Sequence, residues 1–319
     1  MTSSLDAGWG RPSSLDGGAL ISAVRGGRAD GILRLVCRAA LAVVALTLAA
    51  IVLLICREAW PAVSAPERVW LLLAGEDWAP LLSPPHLGIR HAILSTLMVT
   101  GMSLVLAVPL GIGIGLFIAE LAPNWIRNLL QPCFELLAGI PSVVYGFFGY
   151  VTLVAWFEQY GGMATGESLL VASLVLAIMV LPFVASVSGE AFTAVRPALR
   201  EAAFSTGATR WHVVRRVLFR AAMPGLFAAV ALGLARAVGE TLAVLLLAGN
   251  STALPTSFLD RGQPLTALIA TELPEAGVGS AKYHALYAAG LVLLLLTGAI
   301  NLLVWKLKGR IMARQGALA

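Results

Sequence analysis

Long apolar stretches alternate with shorter polar segments along the chain. A helix needs about 20 apolar residues to cross a lipid bilayer. Six stretches reach that length, at residues 32–57, 88–119, 133–157, 168–190, 221–249 and 284–306. The apolar residues are gathered into continuous blocks and do not follow the spacing of an amphipathic surface helix. The pattern therefore predicts an all-α polytopic membrane protein with six transmembrane helices.

The composition agrees with this prediction. Of 319 residues, 59% are hydrophobic and 12% are charged, whereas a soluble domain carries about 25% charged residues. Cys37, Cys56 and Cys133 are far apart and lie in apolar stretches, which favours small core residues over metal ligands or disulfides. The formal charge of +5 comes without aromatic residues interleaved in a basic stripe, so we expect no nucleic-acid partner.

The basic residues are distributed unequally between the two sides of the predicted helices. If both termini lie on one side, that side receives sixteen of the 22 basic residues, Arg236 lies within a helix, and five remain for the other side: Arg57, Arg68, Arg90, Arg261 and Lys282. Cytoplasmic loops are enriched in Lys and Arg, which places both termini in the cytoplasm. Glu120, Glu135 and Glu190 lie near inner helix ends and are candidates to pair with the basic inner loops.

The pattern also divides the chain into parts. Residues 1–31 are polar and rich in Gly and Ser, and we expect them to form a disordered cytoplasmic tail. Residues 32–83 hold the first transmembrane helix and an outer loop whose tryptophans suit the membrane interface. Residues 84–308 form the main membrane domain, and residues 309–319 form a second cytoplasmic tail. Residues 251–282 make another long outer loop, with no apolar stretch long enough to span.

Motifs of enzyme chemistry are missing from the sequence. None of the three lysines, Lys282, Lys306 and Lys308, follows a GxxxxGK turn that could hold nucleotide phosphates, and neither HExxH nor GxSxG occurs. Gly111 and Gly115 form a GxxxG pair inside an apolar stretch, which favours close packing between membrane helices. We therefore expect no catalytic residue, metal site or cofactor in this chain.

The longest predicted inner connection contains a short motif. Residues 200–225 read REAAFSTGATRWHVVRRVLFRAAMPG, in which Glu201, Ala202, Ala203 and Gly207 give EAAxxxG. Small residues allow a short helix to seat in a cleft of a partner, and the glycine permits a sharp change of direction before the next span. The alternative is an amphipathic helix whose basic residues face lipid head groups.

Two charged residues, Arg236 and Glu240, interrupt the fifth apolar stretch, LARAVGETLAVLLLAGN at residues 234–250. If this helix starts near Ala221, Arg236 lies about 22 Å along it. A lone charge at that depth costs from about 3 to more than 10 kcal/mol, so both side chains should face the bundle interior or water. In a continuous helix their i, i+4 spacing places them on one face.

Three interpretations of this pair are open. Arg236 and Glu240 could form an internal ion pair that fixes packing, although such a pair contributes only about a few tenths of a kcal/mol on a helix. Arg236 could attract a passing oxyanion with its forked donors, while Glu240 keeps the anion from binding too tightly. The pair could also form a gate against a partner subunit. Nearby, Thr241 follows the pair, and Ser142 follows Pro141, which either unwinds the third helix near a pathway or kinks it.

Several segments, in their order along the chain, resemble one family of transport proteins. The EAA loop in the fourth connection resembles that of type I ABC importers, where it docks on a cytoplasmic ATPase. AGIPSVVYGFFGY (138–150), LARAVGETLAVLLLAGN and PLTALIATELPEAGVGSAKYHALYAAG (264–290) together resemble the PstC family, the permease subunits of phosphate-specific transporters. The resemblance covers about residues 85–306. The sequence departs from the family where Phe219 and Arg220 replace a common Leu-Pro pair.

The resemblance implies a MetI-like permease fold in the bacterial inner membrane, with a coupling loop at residues 191–220. It also implies a PstA-like sister permease, a PstB-like ATPase dimer, a periplasmic PstS-like phosphate-binding protein and surrounding lipid. The implied function is import of inorganic phosphate, with Arg236, Glu240, Thr241 and Ser142 in the pathway or gate. A permease for another oxyanion, such as sulfate or molybdate, is one alternative, and a stand-alone channel or secondary transporter is the other.

Overall fold

The computed structural model describes residues 28–162 and 165–316. Most of the predicted N-terminal tail, residues 1–27, lies outside the described residues, as do residues 317–319. Helix α1 (Arg28–Val63) begins inside the predicted tail and is longer than the apolar stretch that predicted it. A helix continues past its apolar residues because each further turn adds backbone hydrogen bonds at little cost.

The chain forms two compact units, one up to Leu54 and the other from Ile55. In the first unit, the side chains of α1 from residue 31 onward are mostly apolar and almost all exposed, as in a helix that contacts lipid. Cys37 is exposed there, and Cys56 and Cys133 are exposed in the second unit. The prediction that the cysteines are core residues was therefore wrong. A thiol behaves as a small hydrophobic group, so an apolar surface accommodates it as well as a core does.

The connection after α1, on the side that the charge pattern predicts to be the outer one, holds a short helix, α2 (Pro66–Ala74), and a small hairpin. Strands β1 (Trp78–Ala79) and β2 (His86–Leu87) pair antiparallel, with Trp78 opposite Leu87. Helix α3 (Arg90–Leu116) then returns through the bundle and ends in a π-helical turn, Phe117–Leu121.

The third predicted span is sharply bent. Helix α4 (Asn124–Gly139) lies at 91° to the helical stretch Ser142–Tyr160, which consists of α5 (Ser142–Gly149), a π-helical turn (Tyr150–Val154) and α6 (Ala155–Tyr160). The predicted span over residues 133–157 is therefore interrupted, and of the two expectations for Pro141 the structure has the unwound helix and not a simple kink. Pro141 disfavours helical geometry at the residue before it, and Ile140 is extended, with φ −67° and ψ 130°.

Helix α7 (Leu169–Thr193) packs closely along α3. A Cβ atom added at Gly111 would lie 2.8 Å from the Val184 side chain, and one added at Gly115 would lie 2.7 Å from the backbone oxygen of Ala185. No side chain fits at either glycine without displacing α7. The close approach predicted from the GxxxG pair is confirmed, and it joins α3 and α7 into one body.

The connection after α7, on the side that the charge pattern predicts to be the inner one, forms the short helix α8 (Pro197–Ser205). The next span is continuous from α9 (Arg210–His212) through a π-helical segment (Val213–Leu218) to α10 (Phe219–Val238). It ends at Gly239, and the short helix α11 (Leu242–Leu247) follows after Glu240 and Thr241. The prediction of one helix over 221–249 was wrong at this break.

The long outer connection after α11 folds back into the bundle. Helix α12 (Leu265–Glu272) buries Leu265 and Leu268 completely, and its first backbone N–H donates to Thr96 Oγ1 of α3 at 2.9 Å. The last helix, α13 (Ala281–Gly316), packs against α12 at its outer end. Within the described residues, five helices are long and apolar enough to span a membrane, or six if the bent pair is one span. The all-α, polytopic architecture is confirmed.

Candidate functional site

The break between α10 and α11 buries Glu240 and satisfies its polar groups. The residue is 7% exposed. Its Oε1 accepts a hydrogen bond from the backbone N–H of Ala243 at 3.3 Å, so the carboxylate lies at the N-terminus of α11, where a helix favours negative charge. Its backbone oxygen accepts from Thr266 Oγ1 at 2.8 Å. These bonds replace the helical bonds that are lost at the break.

Arg236 lies in the last turn of α10 and is half-buried. The carbon of its guanidinium is 5.0 Å from the centre of the Phe183 ring on α7, and its Nε is buried without a hydrogen-bond partner. Among the described residues, no hydrogen bond or ion pair holds this guanidinium. Arg236 is therefore a cation on an aromatic face, with N–H donors available to a ligand.

Arg236 and Glu240 are not paired with each other in the described structure. The helix ends at Val238, so the i, i+4 geometry of a continuous helix does not extend to Glu240. The carboxylate instead bonds to α11, and the guanidinium stacks on α7. The interpretation of the two residues as an internal ion pair is therefore wrong, and the pathway and gate interpretations remain.

The other two predicted pathway residues lie on elements that adjoin the break. Thr241 is part of the break itself, and its Oγ1 donates to the backbone oxygen of Gly239 at 3.4 Å. Ser142 is the first residue of α5 and is half-buried. Helix α5 packs on α11, since a Cβ added at Gly146 would lie 2.9 Å from Cα of Ala243. Tyr145, one turn after Ser142, donates a hydrogen bond from its hydroxyl to the backbone oxygen of Leu137 at 3.0 Å.

One face of α7 is open although most of this helix is buried. Phe183 is half-exposed, and Ser186, Glu190 and Thr193 are exposed at helical spacing along the same face. This face borders a cavity of about 580 Å³ that is also lined by α4, with Gln131 and Glu135. A polar stripe thus runs from the ring beneath Arg236 to the inner end of the helix.

The carboxylates near the inner helix ends differ in their partners. Glu120 forms an ion pair with Arg200, with 2.6 Å between Oε1 and the guanidinium nitrogen. Glu135 and Glu190 have no ion-pair partner within the described chain, and both line the cavity. Pairing with the basic inner loops is therefore confirmed for Glu120 and wrong for the other two.

The EAAxxxG residues form the exposed tip of the inner connection. Glu201 and Ala202 on α8 are exposed, whereas Ala203 is partly buried against the inner hydrophobic cluster. Gly207 follows the helix with φ +75°, a left-handed conformation that other residues adopt at a cost. Thr209 then caps α9 by accepting from the His212 backbone N–H at 3.3 Å.

The outer loop above the break is held by a separate set of polar contacts. Arg261 pairs with Glu167 at 3.0 Å and donates to the backbone oxygen of Gly249 at 2.8 Å. The Asp260 carboxylate accepts from the backbone N–H groups of Thr256 and Ser257 and from the Thr256 hydroxyl, and these bonds lower the pKa of Asp260. The ionised carboxylate therefore fixes the loop through these hydrogen bonds.

Sequence reasoning missed several residues of this arrangement. Phe183 and Thr266 contact Arg236 and Glu240 from distant segments, and their types carry no signal for such roles. Arg200 stands directly before Glu201, but its partner Glu120 is eighty positions away. The pattern of residues along a single sequence does not reveal which distant side chains meet.

Comparison with known proteins agrees with the fold and the motifs. The family model described as "Binding-protein-dependent transport system inner membrane component" matches residues 111–310. The probable ABC transporter permease protein YqgH of Bacillus subtilis is 42% identical over 238 residues, which cover 75% of the chain and 77% of that protein. The phosphate transport system permease protein PstC of Mesorhizobium japonicum is 33% identical over 307 residues, which cover 90% of the chain and 92% of that protein.

A solved structure shares the fold at low sequence identity. A bacterial alginate ABC transporter, in complex with an alginate-bound periplasmic protein, aligns with a TM-score of 0.65 at 18% identity. The alignment covers 89% of the chain and 96% of that structure's chain. The helical arrangement described above is therefore a fold that the chain shares with this transporter structure.

Proposed function

Because the chain belongs to the family of binding-protein-dependent transport system inner membrane components, we propose that it is the PstC-type permease subunit of an ABC importer for inorganic phosphate. Relatives named PstC support the cargo, at 33% identity over 90% of the chain in one case. The multi-pass helical architecture supports a membrane subunit. Energy would come from a partner ATPase, since the sequence has no GxxxxGK motif.

The observation that carries the proposal is the unpaired guanidinium of Arg236. Phosphate offers several oxygens, and the forked donors of arginine match them in geometry and charge. Arg236 stands at a helix break, half-buried, with no protein acceptor among the described residues and with Phe183 beneath it. A phosphate that enters the bundle would meet a cation whose N–H donors have no hydrogen-bond acceptor among the described residues.

Glu240 would set an upper limit on how tightly the anion binds. Its carboxylate is held by α11 and does not neutralise Arg236. Its negative charge near the pathway repels the phosphate and so keeps it from binding too tightly. A protonated phosphate oxygen could also donate a hydrogen bond to this carboxylate. In the gate interpretation, Arg236 bonds to a residue of the sister subunit in one state of the transporter. The gate interpretation predicts that removal of Arg236 causes phosphate to leak, whereas the pathway interpretation does not.

The route to the cytoplasm would follow the open face of α7. Phe183, Ser186, Glu190 and Thr193 lead from Arg236 to the cavity at the inner end. The exposed tip with Glu201 lies beyond that end and suits docking on a PstB-like ATPase. This arrangement agrees with both termini in the cytoplasm when the bent pair counts as one span. A PstA-like sister permease and a periplasmic PstS-like protein complete the proposed assembly.

Purified chain, reconstituted in liposomes with its PstA-, PstB- and PstS-like partners, should take up phosphate only when ATP and the binding protein are present. The measurement is uptake of radioactive phosphate, with radioactive sulfate and molybdate as parallel cargoes. Uptake of sulfate or molybdate in preference to phosphate would favour the other oxyanion permease. Uptake by the chain alone without ATP would favour a channel or secondary transporter.

A pair of serines on α7 tests the proposed route. Ser186 is exposed on the open face, whereas Ser188, two residues further, is fully buried. In a background with Cys37, Cys56 and Cys133 replaced by serine, Ser186→Cys should react with a membrane-impermeant thiol reagent from the cytoplasmic side at least about tenfold faster than Ser188→Cys, because thiol reactivity requires access. Equal rates for the two variants would contradict a water-lined route along this face.

A further inference from the structure

Arg200 connects the exposed tip of the inner connection to the core of the bundle. Its side chain is only 27% exposed. One guanidinium nitrogen lies 2.6 Å from Oε1 of Glu120, whose side chain is 15% exposed. The same nitrogen donates to the backbone oxygen of Phe192 at 2.8 Å. A single cation thus forms an ion pair with Glu120 and donates a hydrogen bond to Phe192, both outside its own helix.

The two partners belong to the ends of the two helices that pack most closely. Glu120 is in the π-helical turn that ends α3, and Phe192, fully buried, is in the last turn of α7. These helices are joined into one body at Gly111 and Gly115. Arg200 therefore attaches α8 to a rigid pair of helices and not to a mobile loop.

The other side chains of α8 make no comparable connection. Glu201 and Ala202 are exposed, Phe204 is 47% exposed, and Ala203 contributes only a methyl group to the inner cluster. Among the described residues, the pair with Glu120 is the only ion pair of α8. The outward face of α8 is thus free for a partner, while Arg200 alone holds its inward face by charge.

On this geometry, and resting on the proposed function, we propose that Arg200 is a positioning residue that transmits movement of α8 to the α3–α7 body. Movement of α8 with the ATPase would carry α3 and α7 with it through Glu120 and the Phe192 carbonyl. Because Phe183 of α7 contacts Arg236, the same movement would change the surroundings of the pathway cation. Without Arg200, α8 would still dock on the ATPase, but its movement would no longer be transmitted to α3 and α7.

The test measures how many ATP molecules are hydrolysed for each phosphate imported by the full reconstituted complex. Arg200→Gln should raise this ratio by about tenfold, which is the size of effect that single mutations have on coupling between distant sites. Basal ATP hydrolysis should stay within about twofold of wild type. Glu120→Gln should raise the ratio in the same direction. The double variant should be no worse than Arg200→Gln, because both changes remove one interaction.

Two further variants separate this role from a general loss of structure or charge. Arg196→Gln removes a neighbouring exposed cation of the same connection and should leave the ratio unchanged. Arg200→Lys keeps the charge and should restore part of the coupling. If uptake and ATP hydrolysis fall together in Arg200→Gln and Glu120→Gln, with an unchanged ratio, Arg200 is merely structural and the inference is overturned.

The same experiment distinguishes this inference from the proposed function. Failure of the wild-type complex to import phosphate would refute the cargo, because that measurement does not involve Arg200. Normal phosphate import by wild type, with an unchanged ratio in the Arg200 and Glu120 variants, would refute only the positioning role.

Discussion

Replacing Arg236 by alanine should lower phosphate uptake by the assembled importer at least about a hundredfold, because two charge-assisted hydrogen bonds, each worth about 1.5–3 kcal/mol, would be lost. The guanidinium makes no hydrogen bond or ion pair with the described residues, so its removal should leave folding and assembly intact. The measurement is the initial rate of radioactive phosphate uptake, normalised to the amount of complex that co-purifies with the ATPase.

Matched variants show which property of Arg236 matters. Arg236→Lys keeps the charge without the fork and should give an intermediate rate. Phe183→Leu keeps an apolar side chain but removes the aromatic face, and should cost less, since the contact of a cation with an aromatic ring contributes about 0.5–2 kcal/mol. Normal uptake by Arg236→Ala would refute the pathway role. Phosphate leakage without ATP in this variant would support the gate instead.

Replacing Gly207 by valine should lower ATP-dependent uptake and ATPase co-purification by about tenfold or more, since a left-handed conformation of a residue other than glycine costs about 1–3 kcal/mol. Gly207 has φ +75°, and a Cβ atom there would meet nothing within 4 Å. The cost therefore comes from the backbone and not from a clash. The backbone at residue 207 would relax toward a negative φ, and the orientation of α8 relative to α9 would change.

The control for Gly207 is asparagine, which tolerates the left-handed conformation better than other residues. Gly207→Asn should retain most uptake, although its side chain is larger than hydrogen. Gly113→Ala provides a second control, because Gly113 also has open space around it but lies in a regular helix. Equal defects in Gly207→Val and Gly207→Asn would mean that side-chain size at the ATPase contact, and not the backbone, decides the outcome.

The long apolar stretches made the helical type and the number of candidate membrane spans predictable. Hydrophobic length is a local property, and it located α1, α3, α7 and α13 to within a few residues at most ends. The close packing of α3 on α7 was also predictable, because Gly111 and Gly115 remove side chains at a fixed helical spacing. The turn at Gly207 belongs to the same class, since glycine alone adopts φ +75° without strain.

The interruptions inside apolar stretches were less predictable. Pro141 signalled a disturbance, but its size, 91°, depends on how α4 and α5 pack. The stretch around Glu240 read as one helix, since nothing in the local pattern shows that Thr266 will bond to its carbonyl and Ala243 to its carboxylate. The bond from Thr266 comes from a segment 26 residues away, so the pattern around Glu240 does not show where the helix breaks.

Local chemistry along the chain thus predicted a membrane protein with six spans, an EAA turn in the connection after the fourth span and two charges inside an apolar stretch. Folding in three dimensions then separated Arg236 from Glu240, stacked the first on Phe183, tied the second to α11 and joined Arg200 to Glu120. The physical reason is the range of the interactions. Hydrophobic length and backbone preference act within a few residues, whereas Phe183 meets Arg236 and Glu120 meets Arg200 only after distant segments have packed together.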